Sequence, residues 1–301
     1  MLSICIPIHN WDVTKLVRDL KAQADKLKVA YEILLLDDAS DYEYQKKNAQ
    51  LDFLDHVTYL QSYINMGRSV VRNTLAVKSQ YPYLLFMDCD VTVTHRDYLK
   101  KYLEALPAKV VVGGAEFKPK KPRKENVLRW KYGIVREQVP AEVRRKDPNA
   151  AFSTFNFIIE KEIFDTVQFD ETLQGYGHED TLFGLDLEAH GITISHIDNP
   201  LRHDVSRSSN QFLKQTRNSI DNLLIIADKV ENRDRLEQSI TLLRTYRKLK
   251  KRHLLGLYRL FYQMFGKMIE KNLRSPNPKI RAFDLYKLGY LVEKMKAEKN
   301  S

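Results

Sequence analysis

Residues 83–93, YLLFMDCDVTV, run from a tyrosine through four apolar side chains into two aspartates separated by one cysteine. An apolar run this short, rich in large side chains, reads as a buried strand. A strand core is a costly place for paired negative charge. Asp88 and Asp90 therefore belong to the strand's end, and the question is what needs two carboxylates there.

Working outward, the first 115 residues alternate strand-like and helix-like segments. LSICIPI (2–8) and YEILLLDD (31–38) read as buried strands, the second ending on Asp37 and Asp38, and HVTYLQ (56–61) as a shorter one. Between them Val13, Leu16, Val17, Leu20, Ala24 and Leu27 recur at helical spacing, and RSVVRNTLAVKS (68–79) forms a helix opened by Gly67. After 83–93 come a helix over 95–105 and a strand, AKVVVGGAEF (108–117). This alternation predicts an α/β protein with a parallel sheet covered by helices on both faces.

A Lys-, Arg- and Pro-rich excursion follows at 118–150, with one short helical pattern over 125–137. FSTFNFIIE (152–160), a helix from Glu179 and the strand ITISHI (192–197) resume the apolar pattern, and beyond LRHDVSRSSN the chain reads as helical to its end. The predicted organisation is an α/β domain over 1–205, with a first half (1–115) and a second half (116–205) divided where the composition changes. A basic helical region spans 206–301.

With 43% hydrophobic residues the 301-residue chain has enough apolar mass for a sizeable core and is neither disordered nor fibrous. Its net charge of +10 is uneven: from Ser206 onward 22 Lys/Arg face 9 Asp/Glu, which leaves −3 on residues 1–205. Cys5 and Cys89 sit inside apolar runs, as reduced core thiols of a cytosolic protein do. The opening MLSICIPIHN has no basic leader, and no stretch approaches the roughly 18 apolar residues of a spanning helix. The expected location is cytoplasmic, with peripheral attachment to the inner face of the plasma membrane as an option for the basic region.

In an open parallel sheet ligands bind outside the carboxyl ends of the strands, where Asp37, Asp38, Asp88 and Asp90 all fall. Helix capping is an equal account of Asp37 and Asp38. It explains one aspartate of the DCD pair, not two. Adjacent carboxylates repel unless a cation lies between them, and hard divalent ions take oxygen ligands. Two uses for such a metal stand open. One is phosphoryl transfer of the haloacid-dehalogenase type, which LLFMDCDVT fits as a strand followed by DxDxV, although that motif normally opens its fold. The other is bridging the diphosphate of a nucleotide sugar.

The chain resembles glycosyltransferase family 2, with its GT-A fold, over residues 1–215. ICIPIHN is similar to the family's opening strand, with His9 for the usual tyrosine and Pro7 beside the donor. LLLDDAS matches its uridine-binding turn, so the resemblance implies that Asp38 accepts from uracil. NMGRSVVRN (65–73) resembles N-x-G-x-x-x-A-R-N, with Val71 for alanine and Arg72 facing base and phosphates. DCD is then the DxD motif, Asp88 nearer the ribose and Asp90 on the metal. GYGHED (175–180) resembles the W-G-x-E-D segment of galactosyl- and N-acetylgalactosaminyl-transferring relatives, which makes Asp180 the base and Glu179 the acceptor ligand. LRH (201–203) matches their third metal ligand, His203. Read without the family, Glu179 and Asp180 open a helix after a glycine-flanked loop, where acids also favour the dipole. His196 reads as structural, and Trp130 and Tyr132 as either acceptor-stacking or core residues.

The resemblance implies an inverting hexosyltransferase that uses Mn²⁺ (or Mg²⁺). It would move a sugar from a UDP-sugar to a hydroxyl of a glycan or lipid-linked saccharide in surface polysaccharide biosynthesis. In the basic region Leu242, Tyr246, Leu249, His253, Leu257, Phe261, Met264 and Met268 recur at spacings of three and four, crowded by Arg247, Lys248, Lys250, Lys251, Arg252 and Arg259. That stripe is either packed on the catalytic domain or, through 242–271, set against an anionic membrane surface. A nucleic-acid partner is not expected, because no recognised binding motif accompanies the charge. A non-catalytic basic protein binding membrane or nucleic acid is the last alternative, and it leaves the acids at strand ends without a purpose.

Overall fold

The computed structural model describes residues 1–173, 175–205, 207–230 and 232–300, with side chains through Ala297. Ser206 and Ser301, the ends of the basic region read from the sequence, lie outside the described residues. Among the described residues ten strands form: β1 (Leu2–Ile8), β2 (Tyr31–Asp38), β3 (Val57–Ser62), β4 (Tyr83–Met87), β5 (Val91–Thr92), β6 (Val110–Val112), β7 (Ala115–Phe117), β8 (Asn156–Glu160), β9 (Ser195–His196) and β10 (Leu201–His203). Seven make one sheet in the order β3-β2-β1-β4-β8-β6-β9, and β5-β10-β7 make a second, smaller one.

Two compact units carry these elements. The first comprises Met1–Lys118, Arg136–Gln174 and Glu179–Asp204; the second comprises Pro119–Val135, Gly175–His178 and Val205–Ser301. In the first, β1 pairs in parallel with β2 and β4, and its residues are almost wholly buried, as strands covered on both faces are. Helix Thr14–Leu27 turns Leu16, Val17, Leu20 and Ala24 inward, the spacing read from the sequence. Helix Arg68–Lys78 starts at Gly67, whose φ of 88° a side chain would resist.

The large sheet is mixed and not all parallel: β8 runs antiparallel to both β4 and β6. NFIIE is buried along nearly its whole length, so its pattern carries no record of strand direction. The strand expected over 108–117 is two strands. A Cβ on Gly113 would meet Asn199 O and the Tyr102 hydroxyl at 2.5 Å, and Gly114 has φ 93° beside the Arg144 guanidinium. The two glycines let the chain leave the large sheet and enter the small one, where β7 pairs with β10.

The second unit packs helices Ser209–Lys229, Arg233–Ser239, Thr241–Lys251, Leu255–Leu273 and Ile280–Asn300. Leu128, Phe212, Leu213, Ile269, Leu273, Phe283 and Tyr286 form its core, and Tyr132 joins them against Phe212 and Phe283. The helical pattern over 125–137 resolves into a 3₁₀ turn, the short helix Val127–Tyr132 and a π turn, Gly133–Glu137. The single stripe expected over 242–268 is broken. His253 takes φ 56° between helices Thr241–Lys251 and Leu255–Leu273, and histidine is among the residues that tolerate that region. No helix among the described residues is long and apolar enough to cross a membrane.

Candidate active site

The residues at the carboxyl end of β4 fall into two groups. In the first, Arg72, 1% exposed, is carried by helix Arg68–Lys78 and donates from Nη2 to Asp88 Oδ1 at 2.9 Å. Its Nη1 lies 3.9 Å from Glu179 Oε1, and Arg68 Nη1 reaches the same oxygen at 3.5 Å. Burying a guanidinium costs heavily unless carboxylates surround it, and here two do. Glu179 itself is buried at the start of helix Glu179–Ala189. Next to it Asp180 accepts from the Thr181 amide at 2.7 Å. Burial, and then the neighbouring Glu179 charge, push the Asp180 carboxyl up to about 7 against the pull of that amide and of Arg72.

The second group is Asp90 with His203. Asp90 precedes β5, and β5 pairs antiparallel with β10 in the register His203↔Val91. The Asp204 amide then donates to Asp90 O at 2.9 Å, so the small sheet holds LRH against DCD although the two are far apart in the chain. His203 Nε2 stands 3.6 Å from Asp90 Oδ2. Its ring is sandwiched between Phe117 (centroids 5.4 Å, 16° between planes) and Phe155 (5.5 Å, 7°), which fixes the imidazole plane. At 3.6 Å the two are beyond a good hydrogen bond and suited to sharing a cation. A buried carboxylate oxygen and an imidazole nitrogen form a mixed donor set that fits Mn²⁺ and admits Mg²⁺. Among the described residues no cluster of three or more His, Cys, Asp or Glu forms.

Asp38, at the end of β2, is buried and accepts from Met66 N (2.6 Å) on Oδ1 and Gly67 N (3.1 Å) on Oδ2. It thus shapes the turn that opens helix Arg68–Lys78, and its second lone pairs are what it has left for a ligand. Asp37 is spent structurally, taking the Ser40 amide and the Tyr59 hydroxyl. Pro7 sits near the end of β1, half-buried, opposite Leu36. His196 is buried against Arg144 and Pro148 O, as a structural histidine is. The thiol of Cys89, between the two aspartates, is pushed up to about 12 by burial and then by Asp90, which keeps it unreactive at neutral pH.

The structure adds Arg68, Phe117, Phe155 and Asn156 to the residues read from sequence. Asn156 accepts from the Tyr98 and Tyr102 hydroxyls and donates to Gly114 O and Asn199 O, which locks the crossing between the two sheets. Arg68 carried a signal, its i,i+4 spacing from Arg72. The aromatic sandwich carried none, because its members are distant in sequence.

The sequence profile described as Glycosyl transferase family 2 matches residues 3–167, more than half the chain. No curated protein matches. Among solved structures, a mannosyltransferase, PcManGT from Pyrobaculum calidifontis in complex with GDP-Man and Mn²⁺, superposes with TM-score 0.63 at 12% identity, over 98% of this chain and 86% of that one. S. aureus TarS 1–349 in complex with UDP gives TM-score 0.53 at 16% identity, over 99% and 91%. The shared architecture is GT-A. These findings remove the haloacid-dehalogenase reading of DCD, whose strand here comes fourth in the chain, and with it the non-catalytic reading.

Proposed function

The chain belongs to glycosyl transferase family 2, and from that premise we propose that it moves a sugar from a UDP-sugar to a hydroxyl of a glycan or lipid-linked saccharide by one inverting displacement. We read the setting as surface polysaccharide biosynthesis, with the protein peripheral on an anionic membrane face. One observation carries the reading of the chemistry: two acid groups at the end of one strand, one held by buried arginine and the other paired with an oriented histidine.

In this reading the acceptor oxygen attacks the anomeric carbon as the bond from that carbon to the β-phosphate oxygen breaks, and the bonding pair leaves on UDP. Asp180, as carboxylate, takes the acceptor's proton. Attack from the face opposite UDP turns an α-linked donor into a β-linked product. Arg72 would stabilise the negative charge developing on the leaving group, and the ion pairs with Asp88 and Glu179 support this by fixing its position before reaction. Glu179, its charge balanced by Arg68 and Arg72, would accept from an acceptor hydroxyl. Asp90 and His203 would hold a Mn²⁺ or Mg²⁺ ion, which supplies further positive charge for the diphosphate when bound.

The raised carboxyl of Asp180 gives this reading a pH signature. Only the ionised form accepts a proton, so kcat/KM rises as pH passes upward through the pKa of the free enzyme, about 7. A panel of UDP- and GDP-sugars, assayed for turnover and thermal stabilisation with Mn²⁺ and with EDTA, tests the proposal. Stabilisation and turnover with a UDP-sugar, lost in EDTA, are expected. Preference for GDP, or turnover indifferent to chelation, would overturn the donor or the metal respectively.

A further inference from the structure

We infer that the outward face of helix Leu255–Leu273 lies in the headgroup layer of an anionic phospholipid membrane, held at both ends by clusters of cations. The inference deepens the peripheral reading above by naming the contacting surface and the lipid class, and it rests on that reading.

The inner face of this helix is fixed. Tyr258 donates its hydroxyl to Leu285 O at 2.8 Å, and Arg259 Nε reaches Glu293 Oε2 at 3.1 Å. The Tyr262 ring lies over Gly289, where a Cβ would come within 2.2 Å of it, while Ile269 and Leu273 enter the core. This packing leaves Leu257 (66% exposed), Leu260 (55%), Met264 (67%) and Met268 (62%) on the outside, at spacings of three, four and four. Leu254 and Phe265 flank them, also exposed. Single exposed apolar residues are ordinary; a contiguous stripe of large ones marks a contact surface.

Charge decides what the contact is. Residues 241–271 hold nine Lys/Arg and one acid, Glu270. That acid is already shared between Arg217 (3.0 Å) and Arg274 (2.8 Å). Exposed Lys250, Lys251 and Arg252 stand just before the helix. At its other end Lys124, Lys267, Lys271 and Arg274 line a groove of about 560 Å³ with Glu270. Apolar side chains between two cationic clusters match the layering of an anionic membrane: phosphate headgroups outside, acyl chains just beneath. A nucleic acid would use the cations and leave the leucines and methionines in water. The preceding helix contributes only the cations at its end, because its Leu243 is buried and its Arg247 is paired with Asp234 and Glu237.

The test is flotation of the whole protein with vesicles of phosphatidylglycerol and phosphatidylcholine against phosphatidylcholine alone. Binding to the anionic vesicles at least about tenfold tighter is expected, with release at high salt, since the attraction is screened within a Debye length. Leu257→Asp with Met264→Asp should weaken vesicle binding about tenfold or more. Lys250→Glu, Lys251→Glu and Arg252→Glu together, and separately Lys267→Glu with Lys271→Glu, should do the same. All these positions are exposed, so circular dichroism melts should match the parent. Equal binding to both vesicles, or stripe variants that float like the parent, would overturn the inference. So would a stripe needed for dimerisation or nucleic-acid retention in a protein that ignores vesicles. UDP titration of the same variants separates the readings: unchanged UDP affinity accompanies lost flotation if only the surface is affected.

Discussion

The α/β unit buries charge, and the helical unit exposes apolar surface. In the first, Arg72, Asp90, Glu179 and His203 are each 1–8% exposed; in the second, Leu257 and Met264 are 66–67% exposed. Both reverse what folding alone favours, and such reversals are more informative than an apolar core or a polar surface. The difference lies in what compensates each. Buried charges neutralise one another within a few ångströms, as Arg72 does with Asp88 and Glu179. In the membrane reading proposed above, what compensates the exposed stripe comes from outside the protein. If the contrast is functional, the α/β unit's reversals govern catalysis and the helical unit's govern attachment, and substitutions should separate along that line.

The largest expected effect is at Asp180. Asp180→Asn keeps the side chain's size and removes the base, so turnover should fall by roughly 10²–10⁴. UDP affinity by calorimetry should stay within about twofold of the parent, because the base acts on the acceptor and not on the nucleotide in the proposed mechanism. A variant that loses UDP binding as severely as turnover would make Asp180 a donor ligand or a structural group, and would erase the division of labour between the two acid groups.

Within the helical unit, two leucines on opposite sides of one helix sharpen the comparison. Leu273 is fully buried in the core with Phe212 and Tyr286, whereas Leu257 is mostly exposed. Leu273→Ala should cost about 2–5 kcal/mol in denaturant unfolding, and Leu257→Ala within about 0.5 kcal/mol of zero. Comparable costs at the two positions would mean that the stripe is covered by protein.

These two residues also show what the sequence could and could not say. The apolar period marked both as members of an amphipathic helix, yet periodicity records that a face is apolar and not what covers it. The break at His253 was invisible for a related reason: a left-handed histidine leaves spacing in the sequence intact while redirecting the chain. In the α/β unit the strands β1, β2 and β4 and the acids at their ends were legible, because apolar runs and the charges that stop them are local features. The direction of β8 was not, since a strand buried on both faces has the same composition either way. The pairing of Asp90 with His203 was reachable only through a family resemblance, since it depends on the register of β5 with β10.

A smaller effect tests the second acid group. Asp90→Ala or His203→Ala removes one of two proposed protein ligands, so UDP affinity in Mn²⁺ should fall at least about tenfold. The same variants should match the parent once both are measured in EDTA. Phe155→Ala, which leaves the donor atoms in place but frees the imidazole plane, should give an intermediate loss with the same equality in EDTA. Unequal affinities in EDTA would show that these residues act on the nucleotide directly.

A thermodynamic effect tests Asp180 independently of activity, and its sign separates a functional carboxyl from a stabilising one. The Asp180 carboxyl stands at about 7 in the folded chain against an ordinary value of 3.8. Below pH 3.8 both folded and unfolded chains hold the proton, and the residue is neutral to stability. Between 3.8 and 7 the unfolded chain releases it while the folded chain keeps it, so stability falls as pH rises, and above 7 the whole penalty is present. An asparagine side chain at this position has no charge to bury. Asp180→Asn should therefore melt with the parent near pH 4 and progressively above it towards pH 8, by roughly 2–4 °C for each kcal/mol of relieved penalty. A salt-bridged carboxylate would give the opposite trend, with the variant melting below the parent at neutral pH. A variant that is less active and yet more stable at neutral pH would place Asp180 among residues kept for chemistry at a cost to the fold.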